Sequence, residues 1–197
     1  MPSITDKTPL ESGCYFHIYN RGINREKLFY RHAHYLIFLR RYQQLLEEHV
    51  ETYAYCLLPN HFHFLIRVND SNMPGNEKMV SNKLNILFSK HALMINNQYN
   101  RYGSLFCKSF KRIKIKNDFY LRNLTTYIHH NPIKHKVSTD FATYQYSSYQ
   151  GIINKDTKLI NIAGLYTIFN SPEDFIKRHT EDNPFAILGK LKIEKTI

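Results

Sequence analysis

Apolar residues along this chain keep two rhythms, a period of two in short runs and a period near 3.6 in longer ones, and their succession predicts the elements. The run Cys14-Tyr15-Phe16-His17-Ile18-Tyr19 alternates as a strand, with Tyr15, His17 and Tyr19 on one face, until Asn20-Arg21-Gly22 breaks it. Across residues 31–49, Tyr35, Leu36, Leu39, Tyr42, Leu45 and Leu46 recur at helical spacing, the stripe of an amphipathic helix. Residues 51–56 and 62–68 read as strands joined through Leu57-Leu58-Pro59-Asn60, where Pro59 cannot donate to a ladder and marks a bend. A loop over 69–75 leads to a helix over 77–99, then a strand over 106–116 and a helix over 118–131. In that last helix Leu121, Leu124 and Ile128 form the core stripe, and Pro132 is expected to stop it at Asn131.

Strand, helix, two strands, helix, strand, helix is an α+β order suited to an antiparallel sheet with helices packed on one face and the other left open. Within it, period two puts His61 and His63 on one side of their strand, with Phe62, Phe64 and Ile66 on the other. Two neutral imidazoles so placed can converge on one metal ion, although a bare His-x-His also occurs as two histidines on the wet face of a sheet. His17, alone on its strand, reads as structural. On the helix over 118–131, Tyr120, Tyr127 and Asn131 cluster within about 40° of one another on the flank of the stripe, and Tyr127 and Asn131 are one turn apart. Such tyrosines can equally be aromatics at the rim of a core.

Charge changes this picture. Lys and Arg outnumber Asp and Glu by 27 to 16, a net charge of +11, and 14% of residues are aromatic. Positive charge attracts polyanions and planar rings stack on unpaired bases, a combination that favours single-stranded nucleic acid over a membrane while remaining open to an ordinary basic enzyme. On the strand over 106–116, Phe110, Arg112, Lys114 and Lys116 share one face and Ile113 and Ile115 the other, so the basic side can track phosphates or simply blunt a sheet edge. Cys14, Cys56 and Cys107 are an odd number without short spacing, against a disulfide framework or zinc ribbon, and a cytoplasmic location is expected. No membrane span is expected, and the N-terminal stretch lacks the apolar core of a signal peptide.

The segments Leu58-Pro59-Asn60-His61-Phe62-His63, Gly103-Ser104-Leu105-Phe106 and Tyr127-Ile128-His129-His130-Asn131-Pro132, with Asp118-Phe119-Tyr120-Leu121-Arg122-Asn123-Leu124 ahead of the last, together resemble the single-tyrosine HUH transposases, especially the REP-associated tyrosine transposases. The resemblance implies a ferredoxin-like, RRM-type core. It also implies a divalent ion, Mg²⁺ or Mn²⁺, on His61 and His63 with Asn131 where a third ligand is usual, and Tyr127 as the nucleophile that cuts single-stranded or hairpin DNA through a 5′ phosphotyrosine. The matching segments spread over roughly residues 13–150 of a domain expected over 1–150, with 151–197 expected as a small appended helical region and tail, and a homodimer stays open because many relatives are dimeric. Without the resemblance, the same residues also suit a non-catalytic nucleic-acid-binding module or a His-x-His metallohydrolase.

Overall fold

The computed structural model describes residues 8–70, 76–107, 109–155 and 158–181. The centre of the loop expected over 69–75 and the expected C-terminal tail lie outside these. The elements are β1 (Tyr15–Arg21), α1 (His32–Leu46), β2 (Val50–Leu58), β3 (His61–Val68), α2 (Asn76–Gln98), β4 (Lys111–Ile115), α3 (Asp118–Lys134), α4 (Tyr149–Ile153), α5 (Ile162–Phe169) and α6 (Pro172–Glu181). All strand pairs are antiparallel in the order β2-β3-β1-β4. This α+β succession agrees with the class expected from sequence and is compatible with a ferredoxin-like core.

Period two divides the sheet into two apolar faces. Phe16, Ile18, Phe62, Phe64 and Ile66 join Tyr35, Phe38 and Tyr42 of α1 and Val80, Leu84 and Leu87 of α2 in one core. Tyr19, Leu65, Ile113 and Ile115 face the other way and pack with Leu121, Leu124, Tyr127 and Ile128 of α3, and with Leu165, Phe169 and Phe175 of α5 and α6. The α1–α2 pair thus covers one face as expected, whereas the second face is not left open. Helix α3 lies across it because its core stripe is as apolar as that of α1, and an exposed stripe of that kind gains by burial.

Two local features position the site. The β2–β3 hairpin turns through Pro59 and Asn60, and the Pro59 carbonyl accepts from Leu28 N and Phe29 N, so His61 begins β3 directly after a pinned turn. Helix α3 starts where Asn117 accepts the Tyr120 amide, with Asp118 in its first turn. Its end differs from expectation. Pro132 denies Ile128 its intrahelical donor, yet α3 continues to Lys134, one more turn being closed by His135 N on the Asn131 carbonyl. Among the described residues no helix is long and apolar enough to cross a membrane.

Candidate active site

His61 and His63 lie on the α3 side of β3, their rings 5.3 Å apart and perpendicular. The Tyr127 ring stands edge-on to His63 at 5.8 Å, and Asn131 sits one helical turn further, its amide nitrogen donating to the Tyr127 carbonyl at 2.7 Å. A carbonyl only accepts, so that bond fixes which end of the Asn131 amide is Oδ1. Thus the two histidines and the Tyr127 ring are neighbours, and the Asn131 side chain is turned back onto the Tyr127 backbone.

Neighbours decide where each proton lies. Asn60 Nδ2 donates to the Arg25 carbonyl at 3.3 Å, which turns Asn60 Oδ1 to His61 Nδ1 at 2.7 Å. His61 therefore carries its proton on Nδ1 and presents a bare lone pair at Nε2. His63 Nδ1 lies 2.9 Å from His17 Nε2, across the β1–β3 pair in which Tyr19 faces His63. If His63 is to offer Nε2, its Nδ1–H donates to His17, which then keeps its own proton on Nδ1. His17, set aside as structural from the sequence, therefore touches the site through His63. Its alternation with Tyr15 and Tyr19 signalled the face, but only the strand register revealed the partner.

Three polar atoms of these side chains are left over. His61 Nε2, His63 Nε2 and Asn131 Oδ1 are buried and have no hydrogen-bond partner among the described residues. A buried polar atom left so costs about 1–3 kcal/mol. Burial, with His135, Lys134 and Arg21 adding repulsion, pushes His61 down to about 3. Burial and then His17 and His61 push His63 well below the ordinary imidazole value. Both rings are neutral at physiological pH, the form a metal requires. No cluster of three or more His, Cys, Asp or Glu side chains suited to a metal occurs among the described residues. A neutral set of two imidazoles and one amide fits a divalent ion whose remaining positions are filled by water or by substrate oxygens.

Tyr127 has 0% exposure. Lys134, two turns along the same helix, reaches back so that its Nζ is 3.4 Å from Tyr127 Oη and 4.9 Å from the ring centroid. The ring of the exposed His135 packs 4.3 Å from that of His61. Lys134 was not singled out by the sequence, because the helix was expected to stop before it.

Arg112 and Lys114 of β4 are not brought to this face. Arg112 is 8% exposed, donates to Ser81 Oγ at 2.9 Å and to the Thr8 carbonyl, and lies over the Phe110 ring on the α2 side. Lys114 pairs with Glu11 at 2.5 Å, and Lys116 is exposed beyond the strand's end. Alternation is the reason: Ile113 and Ile115 take the α3 side, so Arg112 and Lys114 point away from the histidines.

The family model described as transposase IS200 like matches residues 11–131. A Haemophilus influenzae protein assigned to the REP-associated tyrosine transposases is 28% identical over 117 residues, 57% of this chain and 66% of that protein. The match thus spans just under two thirds of the relative's own length. The solved structure of a REP-associated tyrosine transposase bound to a REP hairpin is similar in fold, with a TM-score of 0.61 and 16% identity over 79% of this chain and 87% of the other.

Proposed function

The chain belongs to the IS200-like transposase family, and from that premise we propose that it is a REP-associated member that cuts and rejoins single-stranded or hairpin DNA through Tyr127, with a divalent ion on His61, His63 and Asn131. The observation that carries this reading is the pair of neighbouring imidazoles whose buried Nε2 atoms have no partner, with the buried Tyr127 ring against His63. A non-catalytic binding module has no use for them, and each lowers stability unless something occupies it.

When bound, Mg²⁺ or Mn²⁺ would polarise the scissile phosphate and offset charge in the transition state. The chain's own groups do the rest. Asn60 and His17 hold the imidazoles in the tautomers that expose Nε2, as outer partners of metal ligands do. Tyr127 Oη forms a bond to phosphorus as the bond from phosphorus to the 3′ oxygen breaks. That leaves a 5′ phosphotyrosine and a 3′ hydroxyl, and the ester conserves the energy for rejoining. Because Tyr127 is covered, the phosphate reaches Oη only once side chains around the phenol give way. We assign phosphate contacts to Lys116 and, once released from Glu11, Lys114; the Arg112 guanidinium is engaged with Ser81 and Thr8. The domain is taken as residues 1–150, with 151–197 as an appendage.

The test uses labelled hairpin oligonucleotides from the DNA flanking the gene, incubated with Mn²⁺. Wild type should form a denaturation-resistant protein–DNA adduct. Tyr127→Phe keeps the ring and should bind the DNA but form none. Tyr120 is the control, since its phenol is pushed upward by burial and by Tyr19 and lies about 10 Å further along the axis. An adduct in Tyr127→Phe, or one mapped to Tyr120, would overturn the assignment.

A further inference from the structure

We propose that Lys134 is a catalytic residue, its ammonium donating to Tyr127 Oη so as to stabilise negative charge on that oxygen both when it attacks phosphorus and when it leaves during rejoining. The inference rests on the assignment of Tyr127 as nucleophile and adds a group that this assignment does not require.

The geometry arises from α3 running past Pro132. Residues 127 and 134 are seven apart, and at about 100° per residue they return to within about 20° of the same direction. Had the helix stopped at Asn131, the lysine would have left this line. As it stands, Nζ is 3.4 Å from Oη and 4.9 Å from the ring centroid, so the cation meets both the hydroxyl and the electron-rich face. Lys134 is also the basic residue in the last turn, where the helix dipole favours a cation.

An ammonium has hydrogens and no lone pair, so in this contact the phenol oxygen accepts and its own O–H points elsewhere. During cleavage that proton passes to solvent water, Oη bonds to phosphorus, and the departing 3′ oxygen takes a proton from water. Lys134 keeps all its protons. In the reverse direction Oη leaves with a full negative charge, and a preorganised cationic donor beside it in a water-poor pocket is the arrangement that lowers such a barrier.

Single-turnover cleavage at saturating DNA in Mn²⁺ tests this with wild type, Lys134→Met and Lys134→Arg. Methionine keeps an aliphatic stem over the ring, and arginine restores a cationic donor. Each enzyme is given the ordinary oligonucleotide and one with sulfur replacing the bridging 3′ oxygen of the scissile bond. Lys134→Met should slow cleavage about 100-fold, in the range seen when one such donor is removed, with DNA affinity changed no more than a few-fold. Arginine should recover most of the rate. The defect should persist with the sulfur substrate, because a thiolate leaves unaided while Oη still needs its partner. A wild-type rate in Lys134→Met, a defect confined to affinity, or a defect erased by sulfur would each overturn the proposal while leaving Tyr127 as nucleophile. Absence of a Tyr127 adduct in the wild type would instead remove the assignment beneath it.

Discussion

His61 is committed to one tautomer by its neighbour Asn60. The Arg25 carbonyl fixes the Asn60 amide, the amide holds the proton on Nδ1, and Nε2 is left bare. Asn60→Ala should therefore leave the fold intact, since the side chain lies at a turn, yet weaken Mn²⁺ binding about 10- to 100-fold. Titrating Mn²⁺ by electron paramagnetic resonance with hairpin DNA present measures this, and an unchanged affinity would mean that His61 orients itself. At this scale the sequence was half legible. Period two placed His61 and His63 on one face, but it is blind to which strand lies alongside, so the contact from His17 Nε2 to His63 Nδ1 could not be foreseen. Asn60 was in plain view within the motif; its role depends on a carbonyl 35 residues earlier in the chain.

The elements show where local rules hold and where packing overrides them. The start of α3 follows from Asn117 and Asp118, whereas its end at Lys134 defies Pro132 because the added turn closes on the Asn131 carbonyl. In β4 the alternation of basic and apolar positions was read correctly, but which side faces Tyr127 depends on the order of strands and on where α2 and α3 pack. Two outcomes separate the residues of that strand. Arg112→Ala should lower stability by about 1–3 kcal/mol, through loss of hydrogen bonds from a buried guanidinium, with little change in DNA affinity. Lys116→Ala should leave stability unchanged and reduce the magnitude of the log–log salt slope of single-strand binding by about 0.7. Chemical denaturation and binding from low to moderate salt check both; the reverse pattern would put Arg112 on the DNA.

The whole molecule closes around α3, and that closure excludes protons. The segment after α3 returns through Ser148, and α6 docks by His179, forming one directional chain of hydrogen bonds. The Phe175 carbonyl accepts from His179 Nδ1, His179 Nε2 accepts from His129 Nδ1, His129 Nε2 accepts from Ser148 Oγ, and Ser148 Oγ accepts from Tyr55 N. None of this was legible in the sequence, because it links residues far apart that share no periodic pattern. Every site on the two imidazoles is in use, and an added proton on His179 Nε2 would set it against the His129 Nδ1–H donor. Burial accordingly pushes His179 down to about 3 and His129 well below its ordinary value, and in the α1–α2 core it pushes His91 down to about 4. In the unfolded chain these groups titrate near about 6.5, so below that pH the unfolded state binds protons the folded state refuses. Their stabilising contribution is complete above about 6.5 and is lost as pH falls toward the folded values, by about 1.4 kcal/mol per group per pH unit. Urea midpoints measured with chelator present, so that no bound metal enters, should be level above pH 7 and fall steeply between 6.5 and 4.5. His179→Gln, which cannot take up the proton, should be less stable than wild type at pH 7.5 but lose less between 7.5 and 5. Equal losses in the two proteins would show that the His129–His179 relay is not what makes the fold acid-sensitive.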